Sequence, residues 1–535
     1  MPNCALTFKA SAALAVTALL FASVAQPACA QTSAFVVRTT AGPISGVARP
    51  GGGAEFLGIP YAQPPVGDLR WREPVPAKSW TTVRDASSFG TPCAQPVLGD
   101  WNRHDAERSS EDCLYLNVIT PAWPSKKPLP VMFWLHGGAN MGGTASSSLY
   151  KDGTLPEHGV VLVTVNYRLA IFGFFAHPEL TLESPHHGSG NYGLMDQILA
   201  LHWVIDNIAS FGGDPNNITV FGQSAGSMDT GMLMASPLSK NLFRKAIAES
   251  GAPFMPPLNS LAEAEQAGTG LATNLNVPAG TDPIQYLRQV PAHDLLAKVA
   301  NVKGRGLGTG PDIDGWVIRT MTAETFANGQ EAAIPLLIGT TAREFGSAEP
   351  PDELRKTIER STGELAPRAL ALYGLAGDAQ GTSDPLYGAA SDQWGADAAF
   401  HCPIAIEAAW HSAAHHATYE YELDHAIPGQ EAQGAVHSSD LPYVFGYFPK
   451  SGNIAGHFSA TDYKLADLME TYWTNFARTG NPNSDNLPRW PELDGSHLYL
   501  QFTQNGTAVV SAMPLRGPQC SLFREVMIQR MNLAH

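Results

Sequence analysis

The pentapeptide Gly222-Gln223-Ser224-Ala225-Gly226 fits the pattern G-x-S-x-G, which can present a serine as a nucleophile. It lies between an apolar run at 217–222, typical of a strand, and a helical pattern at 225–234. Small residues beside the serine allow a sharp turn that lifts its hydroxyl clear of a sheet, and the following helix directs its positive end at the site. This context favours a catalytic serine over a surface serine in a glycine-rich loop.

A serine hydroxyl is a poor nucleophile at neutral pH, so a histidine must take its proton and an acid must orient that histidine. The chain has 17 histidines, and composition does not choose among them. In enzymes built around this serine turn, the order along the chain is serine, acid, histidine. That order excludes the histidines before Ser224 and leaves the later ones open.

Five short runs predict strands, and the first two of them are nearly continuous apolar runs typical of strands buried on both faces, as in a parallel sheet. They lie at 130–135, 160–165, 217–222, 245–249 and 335–339. Apolar residues recur at helical spacing between Leu194 and Ile208. Strands alternating with helices predict an α/β domain with a mostly parallel sheet. Helical insertions are expected over the carboxyl edge of that sheet, at about 253–330 and 349–430.

The composition excludes two broad classes of protein. The chain has 535 residues with 33 Lys or Arg and 49 Asp or Glu, a formal charge of -16. An acidic chain lacks the basic surface that sequence-independent binding of nucleic acid requires. An apolar content of 44% excludes a long disordered protein. The length exceeds the ~250–300 residues at which a simple core stops growing, so either two domains or one sheet with large insertions is expected.

Residues 1–30 have the layout of a cleaved secretory signal: Lys9, an uncharged apolar run at 10–25, and Ala28-Cys29-Ala30. A membrane anchor and a lipoprotein site at Cys29 are the competing interpretations. After cleavage, no run in 31–535 reaches the ~18 apolar residues that a transmembrane helix needs. We therefore predict a secreted or periplasmic protein without a membrane span. The sequence makes no prediction of the oligomeric state.

Four cysteines remain after cleavage: Cys93, Cys113, Cys402 and Cys520. An even number in an exported chain favours disulfides over thiolate chemistry, and no C-x-x-C pair indicates a zinc or redox site. Three pairings are possible, and the alternative is four buried free thiols. Sequence spacing favours Cys93 with Cys113 and Cys402 with Cys520.

Two long stretches carry a family resemblance: FGGDPNNITVFGQSAG at 211–226 and EDCLYLNV at 111–118. Shorter matches lie at 61–67, 69–71, 166–169, 172–174, 250–251 and 473–482. Together they resemble the type B carboxylesterases, the family of bacterial para-nitrobenzyl esterases, animal carboxylesterases and cholinesterases. The similarity runs from about Phe35 to the C-terminus. It implies that 31–535 is a single domain with the α/β-hydrolase fold and that the chain is an ester hydrolase.

The resemblance also assigns the partners of Ser224. His437, within 434–446, matches the family's histidine loop and is the expected general base. Glu344, which follows the predicted strand at 335–339, is the expected orienting acid. Three neighbours of this acid depart from the family's usual pattern: Thr341, Arg343 and Phe345. The side chain of Arg343 either lowers the basicity of the carboxylate or faces solvent.

A tetrahedral intermediate needs N–H donors for its oxyanion. The family match at 136–139 implies the backbone N–H groups of Gly138 and Ala139, and the residue after the nucleophile supplies that of Ala225. Ala139 replaces a third glycine, and Asn140 stands where an aromatic residue is usual. We expect Asn140 to be a substrate-binding residue and to make the pocket wider or more polar.

Weaker patterns concern binding. Trp101 lies between Cys93 and Cys113, where cholinesterases place a tryptophan, and it is a candidate substrate contact in the active-site gorge. His411 and His415 are spaced i, i+4, which suits a metal, but without a third ligand we expect a solvated helix face. No metal and no other cofactor is predicted.

The resulting hypothesis is an exported serine carboxylesterase that acts on a small-molecule ester through an acyl-enzyme. The alternatives are a non-catalytic, cholinesterase-like adhesion protein and an amidase or peptidase with the same triad. The substrate is left open. Lys303 and Arg305, in the first insertion, raise the hypothesis of an acidic ester.

Overall fold

The computed structural model describes residues 35–300, 310–531 and 533. The predicted signal at 1–30, Lys303 and Arg305 lie outside the described residues. Within the described ranges, no helix combines the length and the apolar character needed to cross a bilayer.

Fifteen strands are described, and thirteen of them share one sheet. The strands are β1 (Phe35–Arg38), β2 (Pro43–Ala48), β3 (Ala54–Pro60), β4 (Arg84–Asp85), β5 (Tyr115–Thr120), β6 (Leu129–Leu135), β7 (Val161–Val165), β8 (Gly213–Gln223), β9 (Lys245–Glu249), β10 (Asn259–Ser260), β11 (Asp312–Ile313), β12 (Leu336–Thr341), β13 (Thr418–Leu423), β14 (Leu500–Phe502) and β15 (Ala508–Val510). The large sheet has the order β1-β2-β3-β5-β7-β6-β8-β9-β12-β13-β14-β15, with β4 beside β2, while β10 pairs with β11.

Helices connect most of these strands. They are α1 (Asp100–Glu107), α2 (Ser148–Lys151), α3 (Ala170–Gly173), α4 (Pro178–Glu183), α5 (Tyr192–Asn207), α6 (Ala225–Ala235), α7 (Leu261–Asn274), α8 (Pro283–Arg288), α9 (Ala292–Ala300), α10 (Thr322–Ala327), α11 (Pro351–Thr362), α12 (Ala366–Leu372), α13 (Ala390–Ala396), α14 (Cys402–Ala413), α15 (Leu441–Val444), α16 (Ala460–Thr479) and α17 (Gly517–Met531).

The centre of the large sheet is parallel. Strands β7, β6, β8, β9, β12, β13 and β14 pair in parallel, while β1, β2, β3 and β5 add an antiparallel edge on one side and β15 on the other. Parallel strands are covered on both faces, which explains their nearly continuous apolar sequences. Their carboxyl ends meet at one edge, where side chains from different strands come together.

Side chains of β6 alternate between two apolar layers. Val131, Phe133 and Leu135 pack into the layer that contains α5, and Met132 and Trp134 pack into the layer that contains α16. Both layers are buried, because successive residues of a strand point to opposite faces. The sheet is thus packed on both faces, and this packing fixes the carboxyl ends of its strands.

Each of the five predicted strand runs is a strand of the central sheet: β6, β7, β8, β9 and β12. The second predicted insertion, 349–430, needs a correction, because β13 lies inside it and pairs with β12. This strand carries Glu420 and Glu422, which are 2% and 0% exposed. Burial, followed by the charge of Glu422, raises the pKa of Glu420 to about 8, and Tyr387 and Tyr499 donate hydrogen bonds to Glu422. The two glutamates made the sequence of β13 look exposed, so the strand was not predicted.

The described residues contain two disulfides, Cys93–Cys113 and Cys402–Cys520, as the sequence spacing predicted. The first closes a separation of 20 residues around α1. The second joins α14 to α17 across a separation of 118 residues. Both constrain the unfolded chain, and the longer loop constrains it more.

Replacing both Cys402 and Cys520 with alanine is expected to lower the free energy of unfolding by about 2–5 kcal/mol. The matched replacement of Cys93 and Cys113 should cost roughly 1.5 kcal/mol less, because its loop is shorter. Thermal or urea unfolding of the two variants under identical conditions measures the difference. An equal or larger loss for the shorter loop would contradict the loop-length argument.

Candidate active site

Ser224 occupies a strained turn between β8 and α6. Its backbone has φ 59° and ψ -122°, a left-handed conformation that is costly for a residue with a side chain. The turn is closely packed: a Cβ added at Gly222 would lie 2.4 Å from the Gly226 carbonyl, and one at Gly226 would lie 2.0 Å from the Leu135 oxygen. The small residues of the pentapeptide are therefore needed to hold the serine in this position.

A second turn follows β6 and lies beside the serine. Gly138, Ala139 and Asn140 have φ of 118°, 58° and 55°, so three consecutive residues adopt positive φ. A Cβ added at Gly137 would lie 3.1 Å from the Ser224 Cβ, which places this turn against Ser224. The backbone N–H groups of Gly138 and Ala139 donate to no acceptor among the described residues. Donors without an acceptor of their own are what an oxyanion site requires.

Asn140 supports this turn from beneath. It is 3% exposed, and its Nδ2 donates to Asp229 Oδ1 over 2.9 Å. Gln197 donates to the other oxygen of Asp229 over 2.6 Å, and burial raises the pKa of Asp229 to about 7 against the effect of these two bonds. Where the sequence led us to expect a substrate contact, the Asn140 side chain is directed at α6 and is buried there.

His136 also belongs to the support of the turn. Its ring stacks on Tyr167 with centroids 4.5 Å apart, and the Tyr167 hydroxyl donates to the His136 carbonyl over 2.7 Å. Burial lowers the pKa of His136 to about 4. The ring is therefore neutral at physiological pH and adds no charge to the turn.

Glu344 and His437 form a buried pair just past the carboxyl end of β12. His437 Nδ1 donates to Glu344 Oε2 over 2.5 Å, and the His437 backbone N–H donates to the Glu344 carbonyl over 3.2 Å. The other oxygen, Glu344 Oε1, accepts from Ser250 Oγ at 2.6 Å and from the Thr341 N–H at 2.8 Å. Glu344 has φ 43°, so its backbone, like that of Ser224, is strained.

These contacts keep the Glu344 carboxylate ionised. Burial by itself raises its pKa, but the charge of His437 and the hydrogen bonds from His437 and Ser250 outweigh burial and hold the pKa below its usual range. An ionised carboxylate on Nδ1 fixes the tautomer in which Nε2 is free to accept a proton. This is the tautomer that a general base requires.

The opposite nitrogen of His437 faces the serine turn. Its Nε2 lies 3.2 Å from Gln223 Nε2, so the amide N–H donates to the imidazole lone pair. The rings of Phe345 and Phe400 lie 4.2 Å and 4.7 Å from the imidazole. The ring of His437 is thus confined by an acid, an amide and two aromatic side chains.

Sequence reasoning missed several of these contacts. Gln223 occupies a variable position of the serine pattern, Ser250 was only part of a short match, and Phe345 only a departure from the family pattern. Phe400 and Asp229 carry no local signal. Only the structure brings these side chains, which are distant in the sequence, to one place.

The structure also places the two remaining candidates near the triad. Trp101, on α1, is 49% exposed, and the tip of its ring lies 3.3 Å from the position of an added Cβ at Gly138. Arg343 donates to the carbonyls of Pro385 and Leu386. It is partly exposed, and these two bonds hold it against the loop at 385–386.

A model of the carboxylesterase family matches residues 33–521. The chain belongs to the carboxylesterase family. Among its relatives, the fumonisin B1 esterase of Sphingopyxis macrogoltabida is 36% identical over 92% of this chain and 91% of its own length. Carboxylesterase 1E of Rattus norvegicus is 32% identical over 89% and 90%, and liver carboxylesterase 1 of Oryctolagus cuniculus is 33% identical over 88% and 89%.

Family membership confirms three predictions made from the sequence. This carboxylesterase has the α/β-hydrolase fold, with a large, mostly parallel sheet flanked by helices. It is an enzyme of ester hydrolysis, and small-molecule esters are its class of substrate. The resemblance to type B carboxylesterases was therefore correct.

The prediction for His411 and His415 of the carboxylesterase is wrong. His411, which was expected on a solvated helix face, is 0% exposed and lies 2.7 Å from Glu331 through its Nδ1. Only His415 is exposed. Only His411 lies on α14, which ends at Ala413, while His415 follows the helix at φ 64°. The sequence revealed neither this helix end nor the packing of α14 against the loop before β12.

The support that Asn140 gives to the turn at 138–140, here called the oxyanion turn for its expected role, is testable by replacing Asn140 with glycine, which tolerates positive φ and removes only the amide. We expect kcat to fall about tenfold, less than the loss of a direct oxyanion donor, with little change in KM. Steady-state kinetics on a short aryl ester measures both constants.

The control is Gln197→Leu, which removes the other hydrogen bond to Asp229 without touching the turn. Its kcat should stay near that of the unmodified enzyme. If both variants lost the same activity, general destabilisation around Asp229, rather than positioning of the turn, would explain the result.

Proposed function

We propose that this carboxylesterase is an exported serine hydrolase in which Ser224 is acylated by a carboxylic ester, His437 is the general base and Glu344 orients His437. The observation that carries the proposal is the buried 2.5 Å pair of His437 Nδ1 and Glu344 Oε2. This pair stands at the same sheet edge as the strained Ser224 turn. A nucleophile, a base and an acid converging at one edge is the arrangement that acyl transfer needs.

In the first half-reaction, the Ser224 Oγ attacks the ester carbonyl and its proton passes to His437 Nε2. The Glu344 carboxylate on Nδ1 keeps Nε2 an acceptor, and the Gln223 amide that lies 3.2 Å from Nε2 gives up this contact when the proton arrives. The oxyanion that forms is bound by the N–H groups of Gly138, Ala139 and Ala225. His437 then returns the proton to the departing alcohol, and the acyl group remains on Ser224.

In the second half-reaction, His437 takes a proton from water, which attacks the acyl carbonyl. The same N–H groups hold the second oxyanion, and the proton returns to Ser224 Oγ as the carboxylic acid leaves. Glu344 stabilises the imidazolium in both steps, and the residues named need no metal for these proton transfers.

Export is proposed from two features. Residues 1–30 have the layout of a secretory signal. The remaining chain contains two disulfides, which form and persist in oxidising compartments. N-terminal sequencing of the protein from the producing cell would reveal whether cleavage occurs after Ala30.

The direct test uses the purified 31–535 chain with para-nitrophenyl esters and the matched para-nitroanilides. An initial burst of about one equivalent of nitrophenol, with acyl mass on the peptide that contains Ser224, is expected. Comparable rates on the anilides would favour the amidase alternative. Absence of turnover on every ester would favour the adhesion alternative.

The residues around the triad favour an ester with an apolar portion. Phe345 is 59% exposed beside His437, and Trp101 is 49% exposed beside the oxyanion turn. A substrate panel should therefore compare aryl and alkyl esters with acidic esters. It should include fumonisin B1, because a relative 36% identical to this chain is called fumonisin B1 esterase. A gain from substrate carboxylates would support the acidic-ester hypothesis raised by Lys303 and Arg305.

A further inference from the structure

Three side chains with metal-binding atoms converge at the end of β12 that is opposite to Glu344. Glu331 lies in the loop before β12, His411 is in the last turn of α14, and His416 follows that helix. This cluster is separate from the proposed triad, because Glu331 precedes the first residue of β12 and Glu344 follows its last residue, so the length of the strand lies between the two sites.

The three atoms form a compact triangle. Glu331 Oε1 lies 2.7 Å from His411 Nδ1 and 3.4 Å from His416 Nδ1, and the two Nδ1 atoms lie 3.4 Å apart. Zn²⁺ bound tetrahedrally to nitrogen and oxygen at about 2.0–2.1 Å spaces its ligands about 3.3 Å apart. Two edges of the triangle already have this length, and the third must open by roughly 0.6 Å.

The second nitrogen of His411 is arranged as in metal-binding histidines. His411 Nε2 lies 2.8 Å from the Ile334 carbonyl and donates to it. A histidine that binds a metal through one nitrogen commonly donates its other N–H to a carbonyl, which fixes the ring and leaves the first nitrogen as a ligand. In the neutral ring, His411 Nδ1 is thus an acceptor that faces the Glu331 carboxylate, and His416 Nδ1 lies 3.4 Å from both atoms.

Burial makes the convergence of acceptors costly without a cation. The side chains of Glu331 and His411 are 0% exposed. Glu331 Oε2, as well as both carboxyl oxygens of Glu407 one helical turn before His411, has no hydrogen-bond partner among the described residues. Buried polar atoms without partners are rare in folded proteins and call for an unseen water or ion.

The side chain of His416 is 16% exposed. The cluster therefore has a side open to solvent, through which an ion can enter and at which water can complete the coordination. One carboxylate and two imidazoles are donors that suit Zn²⁺ among the common divalent cations.

We propose that Glu331, His411 and His416 bind one divalent transition-metal ion of the Zn²⁺ type, which ties the loop before β12 to the end of α14. The ion is remote from Ser224 and stabilises the fold rather than taking part in ester hydrolysis. Binding of this ion would be a property separate from the proposed serine mechanism, so either can fail without the other.

The test uses the tag-free chain after dialysis against a chelator, with Zn²⁺ as the probe. Calorimetric titration and the thermal midpoint should both report saturable binding of one equivalent that stabilises the protein. His416→Asn should weaken this binding by at least about tenfold. The matched control is His415→Asn, since His415 is adjacent, exposed and at φ 64°, which asparagine tolerates. It should bind Zn²⁺ like the unmodified chain.

Unchanged affinity in His416→Asn, or no saturable binding by the unmodified chain, would overturn the proposal and leave His411 and Glu331 as a buried ion pair. A spectroscopic measurement covers the case in which the variant does not fold. Co²⁺ added to the unmodified chain should give the intense visible absorption of a tetrahedral site. A weak spectrum, like that of the hydrated ion, would also overturn the proposal.

Discussion

Replacing Ser224 with alanine is expected to lower kcat/KM for a short aryl ester by about 10⁴–10⁶-fold, down to the level that binding and oxyanion stabilisation alone support. The reason is that the acyl-enzyme cannot form without the hydroxyl. The fold should survive, because alanine fits where serine did and the turn is held by the backbone bond from the Ser224 N–H to the Glu249 carbonyl, 2.8 Å long.

The matched control is Ser227→Ala, one turn further along α6. Its hydroxyl donates to the Gly251 carbonyl over 2.6 Å and does not take part in the proposed chemistry. It should keep most of the activity, and the Ser224 variant should show no burst of product. Hydrolysis by Ser224→Ala at the rate of the unmodified enzyme would disprove the nucleophile assignment.

Replacing Glu344 with glutamine is expected to lower kcat by about 10³–10⁴-fold while the substrate still binds. The amide presents an N–H to His437 Nδ1 where the carboxylate accepted one, so the ring is driven to the tautomer with its proton on Nε2. That nitrogen cannot then take the Ser224 proton. The charge that stabilised the imidazolium is lost as well.

Glu344→Asp is the informative control, because it keeps the charge but shortens the side chain. An intermediate loss is expected, since the aspartate reaches Nδ1 less well. If glutamine and aspartate variants were equally active, neither charge nor tautomer could be the role of Glu344. Comparing kcat with KM separates this positioning effect from a loss of substrate binding.

The Glu344→Gln variant also allows a prediction about the pH dependence of stability. The pKa of Glu344 is lower in the folded chain than its ordinary value of 4.5, so its contribution to stability is present above that value and is lost as the pH falls through the lower, folded pKa. The difference in unfolding free energy between the unmodified enzyme and Glu344→Gln should therefore shrink on acidification below about pH 4.5. A constant difference would contradict the assigned cause.

Much of the central sheet was predictable because its strands are buried on both faces and lack polar interruption. The runs that became β6, β7 and β12 are nearly all apolar, so a pattern of residue types was sufficient. β13 was missed, since Glu420 and Glu422 resemble surface residues until the surrounding tyrosines and strands are known. Burial of a carboxylate depends on partners that are distant in the chain.

Ser224 could be predicted from the local sequence pattern, because the serine, the strand before it and the helix after it are contiguous in the chain. His437 and Glu344 were assigned only through family resemblance, because nothing near them distinguishes them from other histidines and acids. The aromatic and polar residues that confine His437 escaped both routes.

Local order along the chain was enough to place the serine on its turn, the cysteines in their pairs and the strands in a parallel sheet. Folding alone decided that Asn140 supports the oxyanion turn from beneath, that Gln223 and Ser250 contact the two ends of the acid–base pair, and that His416 rather than His415 joins His411. The physical reason is that a hydrogen bond, or the binding of one ion by several side chains, needs polar atoms within about 3 Å of each other. Such distances are set between elements far apart in the chain, where spacing along the sequence carries no information about them.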